Sequence, residues 1–583
     1  MAKRIAVVDN TKIKDMEKKK HIQSLCPVNR AGTDCIYFDG PKLRIDESSC
    51  IGCGICSNAA PEAIKIINLP EALDKEPVHR FGKNEFALYS LPIPIFGKVV
   101  GIIGVNGIGK STAIKILANV LKPNLGILDK ESSTQDLINY FKGTEAQLYF
   151  EKVKKGSIKV AYKPQHVDSI PKQFTGKVID LLKKVDEKGL LDEMCEKFEL
   201  TKFLDRDIKN ISGGELQRVA CAATFLKDAD LYIFDEVTSY LDIKQRLRVA
   251  KAIRELPGQD KAVLVIEHDL IALDYMTDYV HIMYGSKGAY GIVSQMRPTK
   301  NGINTYLEGF LREENIRFRD SKILFNVKAP EKSSEIHNLT SWPGFSKKYG
   351  DFRLEADAGE LKTNEKVGIL GENGIGKTSF VKILAGVDRP DDAELDLKVK
   401  VSYKPQYLDS TSEDMVMVLL QDALQKYEVE LIRPLEIKPL LLKKICELSG
   451  GELQRVAICL ALSVPADLVL LDEPSAYLDV EQRLNISKVI SHIVEMRKIS
   501  ALIVDHDLLF LDYLSDKLLV FSGEPARHGK AQGPYPMEKG MNSLLKELAI
   551  TLRREEATGR PRINKEESYK DREQKSSGKY YYA

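Results

Sequence analysis

Gly104-Val105-Asn106-Gly107-Ile108-Gly109-Lys110-Ser111 follows the apolar run Val99-Val100-Gly101-Ile102-Ile103, and the pattern returns as Gly371-Glu372-Asn373-Gly374-Ile375-Gly376-Lys377-Thr378 after Val367-Gly368-Ile369-Leu370. A short apolar run closed by such a turn reads as a buried parallel strand leading into a helix. The glycines let backbone N–H groups wrap phosphates at the helix N-terminus. Lys110 or Lys377 then reaches the outer phosphates, and Ser111 or Thr378 offers a hydroxyl to magnesium. Asn106, Asn373, Thr112 and Ser379 complete the two cradles. Further motifs recur in the same order: K-P-Q with Gln165 and Gln406, S-G-G-E-L-Q-R from Ser212 and Ser449, apolar strands ending in Asp235-Glu236 and Asp472-Glu473, and I-E-H-D or V-D-H-D with His268 and His506. The serine-to-aspartate spacing is 23 residues in both copies. Shared order and spacing define an internal repeat.

This motif set resembles the nucleotide-binding domains of ABC ATPases, over residues of roughly 80 to 525. The resemblance implies two head-to-tail domains, each P-loop capped by the other's S-G-G-E-L-Q segment. One ATP site would use Lys110, Ser111, Gln165, Asp235, Glu236 and His268 with Ser449, Gly450 and Gly451. The other would use Lys377, Thr378, Gln406, Asp472, Glu473 and His506 with Ser212, Gly213 and Gly214. Asp235 and Asp472, with the P-loop hydroxyls and the two glutamines, would hold Mg2+. Glu236 and Glu473 would polarise the attacking water and the histidines would contact the γ-phosphate, because phosphoryl transfer is mostly positioning and charge stabilisation. Phe81 or Phe86 and Tyr349 or Phe352 are candidates to stack on adenine, with Phe81 and Phe352 taken as the pair. Val237 stands where the second copy has Pro474, which predicts unequal sites.

A chain of 583 residues should hold several domains. It has no run near the ~20 apolar residues of a membrane span, and its start, M-A-K-R-I-A-V-V-D-N, lacks a signal core. A cytoplasmic protein without a membrane part is expected. Net charge is +2 from 86 basic and 84 acidic residues, which excludes a generic polyanion binder and leaves nucleic-acid contacts local.

The N-terminal segment carries a second chemistry. Cys50-Ile51-Gly52-Cys53-Gly54-Ile55-Cys56 has the C-x-x-C-x-x-C spacing of ferredoxins, and Cys26-Pro27 has the form of the fourth, distant ligand. With twin cassettes behind such a head, the chain resembles the ABC class E family of ribosome-recycling factors, also called RNase L inhibitors. C-I-G-C-G-I-C, H-R-F, L-P-I-P, K-P-N-L-G, S-Y-L-D, E-N-I-R-F-R, R-P-R-I-N-K and E-Q-K-S-S-G carry that likeness nearly end to end. The family has eight cluster cysteines for two [4Fe-4S] clusters, but Ile13, Lys18, Ile22 and Ala60 stand at four of those positions here. The four belong to one cluster, so a head with one [4Fe-4S] cluster on Cys26, Cys50, Cys53 and Cys56 is expected, the vacated site being packed by apolar side chains. A cluster-free head and a zinc site are the alternatives. Cys35 is read as a buried bystander, and nine cysteines in an intracellular chain argue against disulfides.

The fold class is therefore α/β: a ferredoxin-like iron–sulfur domain (1–75), cassette 1 (76–283), hinge 1 (284–330), cassette 2 (331–530), then hinge 2 and a tail (531–583). Gly104 to Gln165 spans 61 residues but Gly371 to Gln406 only 35, so cassette 1 holds about 26 more. They fall near 131–155 and read as a helix–loop–helix. In the resembled family this insertion touches small-subunit ribosomal RNA, through Lys142, Thr144 and their neighbours here. Arg317, Arg319, Arg553, Arg554, Arg560 and Arg562 are expected as hinge-bearing and RNA-contact residues, and the tail from Glu566 as loosely ordered until bound.

The resemblance implies a monomeric ATPase that closes on ATP, moves its head and splits ribosomes after termination or stalling. Its partners would be the small subunit with its rRNA, a termination or rescue factor, and initiation factors. Three rivals remain at this point: a ribosome-bound translation or initiation factor that does not split, an ATP-gated electron-transfer protein, and a transporter subunit.

Overall fold

A computed structural model describes residues 4–68, 76–128, 131–156, 158–325, 337–395, 399–406 and 410–581. The expected boundaries at 75 and at 330 to 331 lie outside the described residues. Each cassette is built on a mixed sheet whose centre is parallel. In the first, Val99–Ile103, Ala262–Ile266, Leu231–Asp235 and Val160–Lys163 run side by side in that order. In the second the order is Lys366–Leu370, Ser500–Val504, Leu468–Asp472 and Val401–Lys404. The inner three strands of each set are buried at every position, which is why they read as unbroken apolar runs and not as alternating ones. Strands paired antiparallel complete one end of each sheet, and they run past the expected boundaries at 283 and 530, through Tyr290–Val293 and His528–Pro536.

The P-loops, the K-P-Q glutamines, the Asp-Glu pairs and the histidines sit at or just past the carboxyl ends of parallel strands, whereas S-G-G-E-L-Q-R opens the helix that precedes Leu231–Asp235 or Leu468–Asp472. Lys110–Leu117 and Lys377–Leu384 start at Gly109 and Gly376, whose φ of 93° and 92° lie in the left-handed region. Gly213–Leu226 and Gly450–Ser463 start from Ser212 and Ser449, which share capping boxes with Glu215 and Glu452.

Thr134–Tyr140 and Glu145–Lys154 form the two helices of the insertion. Its apolar side, with Phe141 stacked on Phe150 at 5.5 Å, packs into the core of cassette 1 and leaves Lys142 exposed at the tip. The head comprises Arg4–Val8 paired with Ile64–Asn68, a hairpin of Ile36–Asp39 with Lys42–Ile45, and helices Met16–Leu25, Pro27–Arg30 and Ile55–Ala59. It is fastened to cassette 1 by Arg80 Nη1 donating to Glu47 Oε2 (3.0 Å), and by buried Asn84, which bonds Ala6 and Ile45.

The hinge arginines take the expected bearing role, while the expected RNA-facing role of four of them and the loosely ordered tail are corrected. Arg554 pairs with Asp512, Arg560 and Arg562 with Asp274, and Arg319 with Glu481. Asp274 and Asp512 lie at matching places in Leu270–Met276 and Leu508–Leu514, so the hairpin of Leu552–Arg554 and Pro561–Ile563 takes one carboxylate from each cassette. These four guanidinium groups are engaged inside the chain because burial demands a counter-charge; Arg560 is 0 % exposed. Arg317 is exposed and Arg553 half-buried, and of the six they alone lack a carboxylate partner among the described ion pairs. The tail is also ordered: Tyr569–Ser577 is a helix capped by Ser568, its Asp571 bonds Thr551 (2.6 Å), and Tyr581 is buried against Arg554. No helix among the described residues is long and apolar enough to cross a membrane.

Candidate ATP sites and a thiol cavity

The two cassettes face each other head to tail. A cleft of about 460 Å³ is lined by Asn106, Gly107, Gln165, Glu236 and His268 of the first cassette and by Ser449, Gly450 and Gly451 of the second. It continues past Tyr240 and Tyr477 to Gln406, Glu473 and His506. At the opposite site, the backbone N–H of Asn373 donates to Asp242 Oδ2 (2.9 Å), and Lys244 pairs with Glu372 at 2.8 Å. The reciprocal bond runs from Asn106 N–H to Asp479 Oδ2 (3.0 Å).

Inside each site the parts repeat closely. Gln165 Nε2 donates to Glu236 Oε1 and Gln406 Nε2 to Glu473 Oε1, both at 2.7 Å. The histidine Nε2 atoms stand 3.6 Å and 3.7 Å from the same oxygens. Burial first, then Lys110 and Arg483, holds His268 neutral well below its usual range; Lys377 and Arg246 act likewise on His506. Both ring nitrogens of each are buried without a partner, so they suit an incoming phosphate oxygen. Lys110 and Lys377 Nζ fold back onto P-loop carbonyls, and burial lowers both, Lys377 to about 8.

The acid side fits a divalent cation. Thr378 Oγ1 donates to Asp472 Oδ2 (2.9 Å), leaving Oδ1 buried without a partner. Burial and Glu236 raise Asp235 to about 6, and burial, Asp505 and Asp472 raise Glu473 to about 7. Crowded acids of this kind are relieved by a cation. Ser111, Thr112 and Ser379 lie in the first turn of the P-loop helices, with Ser111 beside Asp235 and Ser379 beside Tyr349.

Phe81 and Phe352 do not occupy matching positions. Phe352 lies against Gly376, and its counterpart is Phe86, whose ring leaves no room for a Cβ on Gly109. Phe81 is 54 % exposed beside Phe86 and corresponds to Tyr349, whose hydroxyl donates to Asp388. Val237, in the place of Pro474, is fully buried.

Sequence reasoning passed over Asp242 and Asp479, which reach across to the opposite P-loops, and Arg246 and Arg483, which bind the aspartates after the histidines at 3.0 Å and 2.6 Å. The signal was present as Y-L-D-x-x-Q-R in both copies. Glu267 and Asp505 were missed too. Each buried carboxylate accepts a backbone N–H from the turn after the strand-end glutamate, at Thr238 or Ser475, and another from Asp269 or Asp507.

In the head, Cys26, Cys50, Cys53 and Cys56 line one apolar cavity together with Cys35. Gly52 and Gly54 turn the loop with φ of 72° and 75°. Burial, then neighbouring Cys50, Cys53 and Cys26, pushes the Cys56 thiol up to about 11, so a bound cation would have to displace its proton. Ile13, Ile22 and Ala60 are buried in the head's apolar cluster. Lys18 is exposed, so it does not join that packing; neighbouring Lys19 is buried, its Nζ donating to Pro41 O (2.6 Å).

Two cassettes closing on each other's P-loops define a tandem ABC protein, and the ABC transporter family model matches residues 95–239 and 354–476. An ABC transporter ATP-binding protein of Methanocaldococcus jannaschii is 51 % identical over 99 % of this chain and 97 % of its own. A model of ribosome-bound archaeal Pelota and ABCE1 aligns with a TM-score of 0.94 at 50 % identity, covering 100 % of both chains. The complex of the archaeal ribosomal stalk protein aP1 with the archaeal ribosome recycling factor aABCE1 aligns at 0.84 and 52 % identity, over 88 % of this chain and 100 % of that one. The chain belongs to the ABC class E, or RNase L inhibitor, family.

Proposed function

We propose that this protein is an ATP-driven ribosome recycling factor that hydrolyses ATP and separates ribosomal subunits after termination or stalling. The observation that carries the reading is full-length likeness to a ribosome-bound ABCE1, supported by a cleft that brings Gln165, Glu236 and His268 of one cassette together with Ser449, Gly450 and Gly451 of the other. ATP on one P-loop would be capped by the other cassette's Ser449 or Ser212 helix, so binding two nucleotides draws the cassettes together. Glu236 and Glu473 would orient water, with Gln165 and Gln406 setting the carboxylates and His268 and His506 meeting the γ-phosphate. Closure would be carried to the head through Arg80, Asn84 and Glu47. Differential affinity of the closed form for split subunits supplies the work.

Cys26, Cys50, Cys53 and Cys56 would hold one [4Fe-4S] cluster, which would serve as a rigid cross-link of the head. The buried Ile13, Ile22 and Ala60 support a single cluster, because they fill the second position with apolar packing. Of the basic groups singled out from the sequence, Lys142, Arg317 and Arg553 would be the ones to meet small-subunit rRNA. A termination or rescue factor would meet the head; archaeal Pelota and ABCE1 are found bound to the ribosome together. The protein would act as a cytoplasmic monomer.

Pelleting with purified small subunits tests the reading. Retention is expected with a non-hydrolysable ATP analogue and not with ADP; equal retention in both would overturn nucleotide-gated binding.

A further inference from the structure

Beneath the two glutamates lie lysines that the phosphate chemistry leaves unused. Lys163 and Lys404 open the two K-P-Q motifs at the ends of Val160–Lys163 and Val401–Lys404, and they are 0 % and 1 % exposed. Fully buried lysines are rare because the ammonium must find replacement partners for water. Here the partners are main-chain carbonyls of the neighbouring strand end. Lys163 Nζ donates to Asp235 O and Glu236 O, both at 2.9 Å. Lys404 Nζ donates to Asp472 O at 2.6 Å and Glu473 O at 3.2 Å.

Those carbonyls belong to an unusual stretch of backbone. Glu236 and Glu473 have φ of 50° and 48°, in the left-handed region that side-chain-bearing residues avoid. Such a conformation persists only where its surroundings over-determine it. A second donor reaches each glutamate carbonyl from the S-G-G-E-L-Q-R helix of the same cassette, Gln217 Nε2 at 2.7 Å and Gln454 Nε2 at 2.6 Å. The lysine also ties the glutamate to Gln165 or Gln406, two residues further along its own chain, which bonds the glutamate carboxylate.

We propose that Lys163 and Lys404 are positioning residues of the two ATP sites, clamping the glutamate main chain in its left-handed turn so that the carboxylate stays aimed at the attacking water. The inference rests on the reading of Glu236 and Glu473 as the water-orienting groups. It gives the K-P-Q lysine a task separate from that of its glutamine, and it makes the geometry of each glutamate depend on the helix that caps the opposite nucleotide.

The test uses the full chain carrying Lys163→Met and Lys404→Met together. Equilibrium binding of a fluorescent ATP analogue with Mg2+ is expected to stay within about threefold, whereas kcat falls about tenfold or more. In a Glu236→Gln, Glu473→Gln background, single-turnover cleavage should show no further loss from the lysine changes, because their effect passes through the carboxylate. An unchanged kcat, or the same added loss in the glutamine background, would overturn the proposal. Should the lysine variant fail to fold, Gln217→Leu with Gln454→Leu removes the other donor to the same carbonyls and leaves the ammonium in place. That pair should lower kcat without changing ATP affinity, and an undiminished kcat there overturns the clamp. The two readings separate cleanly: turnover surviving Glu→Gln removes the catalytic assignment, while turnover lost in Glu→Gln but kept in Lys→Met removes the positioning role alone.

Discussion

Glu236→Gln combined with Glu473→Gln is expected to lower steady-state ATP turnover by about 10²- to 10⁴-fold, the contribution of a positioned general base, with ATP still bound. Glutamine keeps the size and one acceptor oxygen, so the bonds from Gln165 and Gln406 at 2.7 Å survive while the proton acceptor is lost. The histidines cannot substitute, because burial and the adjacent P-loop lysines keep them neutral and poorly basic. Trapped ATP should then hold the cassettes closed, and each molecule should act once on its target. Phosphate release measured beside nucleotide binding checks this. Turnover near the starting level would remove the glutamates from the chemistry.

Cys53→Ser is expected to take iron and acid-labile sulfide from about four of each per chain to near none in anaerobically purified protein, and to abolish subunit splitting while sparing basal ATP turnover. Cys53 is exposed at the rim of the thiol cavity, so the substitution removes a ligand without opening a hole in the core. The ATP sites share no side chain with that cavity, which is why their basal rate should persist. Iron near zero already in the unsubstituted protein, with splitting intact, would show that the head works as a packed wedge without metal.

Much of the cassette architecture was legible because its signals are local. Val99–Ile103 and the run from Val367 to Leu370 are continuous and apolar, each closed by a glycine-rich turn, and Ser212 and Ser449 announce their helices through a glutamate three residues on. The vacated positions Ile13 and Ile22 were apolar on their face, and they are buried. What stayed hidden depends on partners distant in the chain. Asp242 meets Asn373 only because the cassettes oppose each other, and no local pattern ranks it above other acids after a turn. Arginine-rich stretches read as solvated or RNA-facing until Asp274 and Asp512 are placed beneath them. Lys18 and Lys19 differ by one helical step, and only the helix's orientation decides that the second is the buried one. The tail composition suggested disorder, yet Asp571 finds Thr551 and the helix is fixed to the hinge hairpin. Phe81 was taken ahead of Phe86, and the contact with Gly109 that distinguishes Phe86 is a tertiary one.

The measurement closest to the central claim is sucrose-gradient sedimentation of intact ribosomes incubated with a rescue factor, ATP and a substoichiometric amount of this protein. Free subunits in several-fold excess over the protein are predicted, falling to about one pair per molecule with Glu236→Gln, Glu473→Gln. Ribosomes that remain intact while the protein co-sediments with them would contradict the account and leave a ribosome-bound factor that does not split.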